Sequence, residues 1–166
     1  MISVESKKED MVMIKEILLN NNIRCVYNSR DEIYFANFYI EDMVPVKLVL
    51  KCNPEDPTDV IAMKYMADTF FDKLPHWTNY AQEFACKRFL PYFYSIAGKG
   101  SEAILDNKKL RDMLILSNIT MNREGYFTMA FKPFSIGSRI SILWAFGTLK
   151  DGFTQLCDQE NIVPEL

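Results

Sequence analysis

Two hydrophobic periods divide the chain. From Thr58 to Tyr94 apolar residues recur at intervals of three and four, the spacing of one helix face, whereas on either side they alternate every second residue, the spacing of one sheet face. In the first half of the helical stretch Val60, Met63, Ala67, Phe70 and Leu74 share a stripe, and Thr58, following Pro54 and Pro57, suits a cap. Pro75 lacks the N–H that a helix interior requires, so the spacing predicts a stop or bend there and a second start at Thr78 or Asn79. The second stripe runs Trp77, Ala81, Phe84, Ala85 and Phe89, and Pro91 predicts an irregular last turn before Gly98-Lys99-Gly100. The expectation is two amphipathic helices, or one kinked helix, laid across a sheet.

Upstream, Ser6 and Glu9 form a capping box ahead of Met11, Ile14 and Leu18, which predicts a short N-terminal helix over residues 6–19, ended by Asn20 to Asn22. Cys25 to Tyr27 is a short strand candidate. Glu32 to Ile40 and Met43 to Lys51 are the clear strands of a hairpin, joined by Glu41-Asp42. The first is apolar on both faces and is expected to be central or covered on both sides; the second sets Val44, Val46, Leu48 and Leu50 against Lys47, Val49 and Lys51.

Downstream, Asp106 to Met113 reads as one more helix. A meander is expected from Leu114 to Met121, a turn at Asn122 to Gly125, Tyr126 to Lys132, a looser connection over Pro133 to Ser138, and Arg139 to Thr148. The Asp151-Gly152 turn then returns the chain into Phe153 to Cys157. Arg139 to Thr148 alternates, setting Ile140, Ile142, Trp144 and Phe146 against Arg139, Ser141, Leu143, Ala145 and Gly147, and Trp144 is expected in the core. Residues 158–166 read as a loose acidic tail. The predicted fold class is α+β in a single domain, residues 1–166: an antiparallel sheet of a hairpin plus a C-terminal meander, packed against the two central helices, with the short N-terminal helix added.

Composition supports one domain. A chain of 166 residues that is 49% hydrophobic and 25% charged has no disordered half and no low-complexity tract. The formal net charge is −3, and residues 149–166 hold a single lysine against Asp151, Asp158, Glu160 and Glu165, so the excess sits at that end. The balanced remainder has no concentrated basic run, which argues against nucleic acid as the main ligand. Cys25, Cys52, Cys86 and Cys157 lie far apart, and His76 is the single histidine, so neither a metal site nor a cofactor is expected. No stretch approaches the roughly 18 apolar residues of a membrane span, and no export pattern opens the sequence. A cytoplasmic protein with reduced thiols and no membrane association is therefore expected.

Catalytic sets are hard to assemble. A Ser-His-Asp or Cys-His arrangement would rest on His76, at the Pro75-His76-Trp77 junction, where capping or packing is the simpler role. Gly98-Lys99-Gly100-Ser101 lacks the order of a phosphate loop and reads as a connector. The adjacent carboxylates Glu41-Asp42 and Glu55-Asp56 fall at turns, where neighbouring side chains seldom converge. What stands out is aromatic content: twelve Phe, eight Tyr and two Trp. Tyr80, Tyr92, Tyr94 and Phe134 fall at ends and loops, where rings anchor protein interfaces, and with Asp158 and Glu160 of the tail they are the candidate partner-binding residues. This predicts an intracellular protein-binding module rather than an enzyme. The alternative is a small-molecule binder or hydrolase with a pocket near His76 and Trp77; a third reading is a structural subunit that forms a homo-oligomer.

The hairpin from Tyr34 to Leu50, the helix ending Phe89-Leu90-Pro91-Tyr92, the block Leu110-Arg111-Asp112-Met113-Leu114 through Ile119-Thr120-Met121, and the closing Arg139-Ile140-Ser141-Ile142 to Asp151-Gly152 carry a resemblance. Together they resemble a group of bacterial domains of unknown function, several of which are suspected immunity proteins in polymorphic toxin systems. The resemblance implies a toxin domain as partner, neutralised by occlusion. Where that group often places a Gly-His pair before the closing strand, this chain has Gly137-Ser138, so no role resting on that histidine carries over.

Overall fold

The alternating arms on both sides of the helical stretch join into one sheet. A computed structural model describes residues 12–40, 44–97, 105–159 and 161–166. The first arm gives β1 (Glu16–Leu18), β2 (Arg24–Asn28), β3 (Ile33–Ile40) and β4 (Val44–Lys51). Helices α1 (Pro57–Phe71), α2 (Leu74–Ala97) and α3 (Asn107–Met113) follow. The second arm gives β5 (Leu116–Asn122), β6 (Tyr126–Phe131), β7 (Phe134–Ile136), β8 (Arg139–Ser141), β9 (Leu143–Thr148), β10 (Gly152–Asp158) and β11 (Asn161–Ile162). Among the described residues nine strands form the main sheet in the order β1-β2-β3-β4-β5-β6-β9-β10-β11, and β7 pairs with β8 apart from it. The two arms meet where β4 lies parallel to β5, with Leu48 opposite Ile119. Parallel neighbours need a long crossover, and the three helices are that crossover.

Register decides which residues face the helices. Tyr34 lies opposite Leu50, Ala36 opposite Leu48, Leu48 beside Ile119, Ile119 opposite Met129, and Met129 opposite Ala145, so one face carries an apolar row across five strands. Tyr34, Leu48, Ile119, Met129 and Ala145 are all fully buried. The helices supply the other half of this core through Val60, Met63, Ala67, Phe70, Trp77, Ala81, Ala85 and Phe89. Removing this much apolar surface from water is the main force holding the layers together.

The helix boundaries follow local chemistry. Asp56 rather than Thr58 caps α1, its carboxylate accepting from the Thr58 and Asp59 N–H groups, and Pro57 takes the first helical position, where its missing N–H costs nothing. Pro75 acts in the same way: α2 begins at Leu74, ahead of the expected Thr78 or Asn79, with Pro75 inside its first turn. The helix continues past Pro91 to Ala97. Asp106 caps α3 by accepting from the Lys109 N–H at 2.8 Å, and Leu110 is buried as the spacing predicted.

Four expectations are corrected. Residues 16–18 of the expected N-terminal helix form β1 instead: Tyr27 N–H donates to Lys15 C=O at 2.8 Å and Leu19 N–H to Ile23 C=O at 2.9 Å, so neighbouring strand backbone takes the bonds a helix would have made. The Ser6–Glu9 capping box, the Glu41-Asp42 link and the Gly98–Ser101 connector lie outside the described residues. Pro133 to Ser138 is no loose connection, since Phe134–Ile136 pairs with Arg139–Ser141 and interrupts the expected meander. The tail is not loose either. Asp158 ends β10, Val163 is 1% exposed and donates to Leu156 C=O at 2.8 Å, and Glu165 pairs with Arg88.

The fourth correction is a reversal of faces in β9. Leu143, Ala145 and Gly147 point to the helices, and Trp144 and Phe146 point away. Backbone approach sets the choice. Gly147 lies opposite Phe127 on β6 and Phe153 on β10, and a side-chain carbon there would come within 2.5 Å of the Gly152 C=O oxygen and 3.0 Å of the Phe153 Cα, so no larger residue fits. Trp144→Ala is therefore expected to cost about 1 kcal/mol, against the 3 to 5 kcal/mol of a large ring deleted from a core. Urea denaturation of the variant checks this; a loss near 4 kcal/mol would return Trp144 to the core.

Candidate functional site

With the described helices packed on one face, the register that builds the core also composes the other face. One row crosses seven strands as Val26, Phe35, Val49, Thr120, Thr128, Phe146 and Gln155. Beside it run Asn37, Lys47, Asn118, Ala130, Trp144, Cys157 and Ile162. On the far side lie Lys51 beside Asn122, and Tyr126 opposite Thr148. Several large apolar groups on this face stay in water: Tyr39 is 64% exposed, Tyr126 60%, Val26 41% and Phe146 37%. Phe35 and Trp144 are half-buried by their neighbours on the sheet.

A depression of about 350 Å³ opens on this face, lined by Lys51, Thr120, Tyr126, Thr128, Phe146 and Gln155 among others. Its lining mixes the Tyr126 and Phe146 rings with threonine hydroxyls, a mixture that can seat a partner side chain. Lys47 and Lys51 are exposed, and neither enters an ion pair among the described residues. Glu16 at the β1 edge is 3.7 Å from Arg24 on β2.

Two ion pairs tie the helix layer and the small β7–β8 sheet to the main sheet. Asp59, 5% exposed in the first turn of α1, accepts from the Asn53 N–H at 2.7 Å and from Arg123 in the β5–β6 turn. The Asn53 N–H first, and then Arg123, hold the Asp59 carboxyl below its ordinary 3.8 against the opposing effect of burial. A carboxyl with a lowered folded pKa contributes stability above its unfolded pKa and loses it as pH falls through the folded value. The stability gap between the protein and Asp59→Asn is accordingly expected to be constant above about pH 5 and to narrow below about pH 4. Urea denaturation at pH 7, 5 and 3 measures it, and a gap that widens toward pH 3 would contradict the assignment. The second pair joins Arg139 on β8 to Asp158 on β10.

The residues expected from sequence to bind a partner are not brought together. Tyr80 is 37% exposed, its ring close over Gly152, and Tyr94 is 44% exposed with its hydroxyl donating to Leu105 C=O. Fourteen positions apart on α2, they are separated by about 21 Å. Tyr92 is half-buried against Phe89, with the Arg139 guanidinium 6.0 Å from its ring centre. Phe134 is buried against Phe89, and Asp158 is fully buried, so neither meets a partner from this conformation. Glu160 lies outside the described residues.

The alternative pocket fares differently at its two residues. His76 is exposed in the first turn of α2, whereas Trp77 is buried among Phe70, Phe127 and Phe153. Neither lines the depression on the open sheet face, nor those beside Cys86, Arg88 and Cys52. Burial pushes the Cys25 and Cys52 thiols up to about 12, so both stay protonated at neutral pH.

Sequence reasoning passed over the open face although β3 carried the signal. Apolar on both sides, β3 is expected to be central or covered on both faces; it is flanked by β2 and β4, while its outward Tyr39 is exposed and Phe35 half-buried, so that side is a surface rather than a second core layer. Among the described residues no helix is long and apolar enough to cross a membrane. Compared with known proteins, the chain matches no family model, no curated protein and no solved structure.

Proposed function

We propose that this chain is a protein-binding module whose partner lies on the open face of the sheet. The observation that carries this is the set of large side chains left in water across that face, Val26, Tyr39, Tyr126 and Phe146, of which Tyr126 and Phe146 line one depression. Large rings on a rigid sheet anchor a protein partner at little cost in entropy. The sheet edges are poor competitors. β1 has three residues and β11 two, so a partner strand would find few backbone groups to pair with.

An immunity protein that neutralises a toxin by occlusion is the concrete form of this module. Its support is the resemblance in the hairpin, the Phe89-Leu90-Pro91-Tyr92 helix end and the closing strands, together with a broad rigid surface suited to covering another protein's site. The four unpaired cysteines support a reducing, cytoplasmic setting.

The double variant Tyr126→Ala/Phe146→Ala tests the surface. It is expected to fold, and to reduce capture of the stoichiometric partner from a lysate of the source cells by more than about tenfold, the effect of losing about 1.4 kcal/mol of binding. Tyr94→Ala should leave capture unchanged. Equal capture by the double variant and the unmodified chain would remove the open face as the binding surface.

A further inference from the structure

The charges on the open face differ from those of the chain as a whole. Although the chain carries a formal −3, among the described residues the open-face strand positions hold Lys47, Lys51 and Arg24 against Glu16, and Glu16 is paired with Arg24 at the β1 edge. The turns at one end of the sheet mix signs, with Arg30 beside Asp31 and Glu32, and Lys150 beside Asp151. Two ammonium groups with no ion-pair partner among the described residues therefore flank Val49, which its neighbours leave 9% exposed, on the open sheet face of an acidic protein.

Their spacing is informative. Lys47, Val49 and Lys51 occupy alternate positions of β4 on the open face, with Phe35 opposite Val49 on β3 and Thr120 beside it on β5. Four residues of strand set the two lysine positions about 13 Å apart. An extended segment repeats its facing side chains with the same period of two, so residues i, i+2 and i+4 of such a segment match the three β4 positions one for one. In the aligned mode of packing on a sheet face, chains lie within about 30° of its strands, and a segment docked in that mode keeps the match over five residues.

We infer that the partner docks an extended acidic segment along β4, with carboxylates at i and i+4 on Lys47 and Lys51 and an apolar residue at i+2 over Val49 and Phe35. The inference rests on the open-face reading and adds the chemistry of the partner to it. A second copy of this chain fits less well, because a twofold contact sets the same patch against itself and would oppose lysine to lysine. Nucleic acid fits less well because two lysines neutralise few phosphates.

The probe is a synthetic peptide built around Glu-Thr-Phe-Thr-Glu, compared with its Gln-Thr-Phe-Thr-Gln counterpart by amide chemical-shift mapping of the full chain. The acidic peptide is expected to shift the Lys47, Val49 and Lys51 amides, to weaken with added salt, and to bind at least about tenfold more tightly than the glutamine peptide. Lys47→Gln/Lys51→Gln, two exposed changes, should erase that difference without loss of fold. Equal binding of both peptides to this face would overturn the acidic partner while leaving the open-face reading intact. Absence of any shift at these three amides would overturn it too, as would shifts produced at lower concentration by an oligothymidylate or by self-association of the chain. The open-face reading itself fails if Tyr126→Ala/Phe146→Ala leaves capture of the cellular partner unchanged.

Discussion

Replacing Phe70 by alanine lowers the unfolding free energy by about 3 to 5 kcal/mol. Phe70 is fully buried where the layers join. Its ring, on α1, stacks on Trp77 of α2 at 5.8 Å and 9°, and meets Phe127 of β6 at 5.0 Å. Phe153 of β10 closes the cluster, 6.0 Å from Trp77 and 5.3 Å from Phe127. Deleting the ring removes contacts to both helices and the sheet at once, and rings held from three elements cannot all collapse into the gap. Guanidinium denaturation followed by far-ultraviolet circular dichroism measures the loss. A change below about 1 kcal/mol would mean that α1 does not pack on the sheet at this point.

Arg139→Leu is expected to cost about 3 kcal/mol, at the low end for breaking a buried pair because 36% of the Arg139 side chain remains in water. Asp158 is fully buried, one of its oxygens is met by Arg139, and the other has no partner among the described residues. Without Arg139 that carboxylate is left in the interior with neither charge nor hydrogen bond to offset its lost hydration. The double variant Arg139→Leu/Asp158→Leu removes the stranded charge as well, so it should be more stable than the single variant. Equilibrium unfolding of the single and double variants decides the matter; a double variant less stable than Arg139→Leu would mean that Asp158 has another partner.

How much of this was legible in the sequence depended on whether the determining contact was local. The helix stripe Val60, Met63, Ala67 and Phe70 is buried as its spacing implied, because a period of three and four fixes one face whatever lies opposite. The inward set Val46, Leu48 and Leu50 was legible because Lys47 and Lys51 mark the other face of the same strand. The face of β9 was not. Alternation gives two faces but not which one is buried; that depended on the pairing with β6, which sets Ala145 opposite Met129 and Gly147 opposite Phe127, and on the β10 backbone closing on Gly147. Likewise β1 has helical spacing on paper, and the backbone of β2 overrides it. The tail read as loose because Asp158, Glu160 and Glu165 are charged, yet Arg139 and Arg88 supply partners for two of them from remote positions. The candidate site suffered most. Tyr80, Tyr92, Tyr94 and Phe134 were chosen for their place at ends and loops, whereas the exposed rings that form one surface, Tyr126 and Phe146, lie inside strands.

That surface can be tested without knowing the partner. A photocrosslinking phenylalanine analogue placed at position 146 on the open face, and separately at position 94 on α2, would be irradiated in the source cells. The crosslinked species would then be resolved by mass. The open-face reading predicts one discrete adduct from position 146 and none from position 94. A discrete adduct from position 94 with none from position 146 would contradict it and move the interface to the helical side.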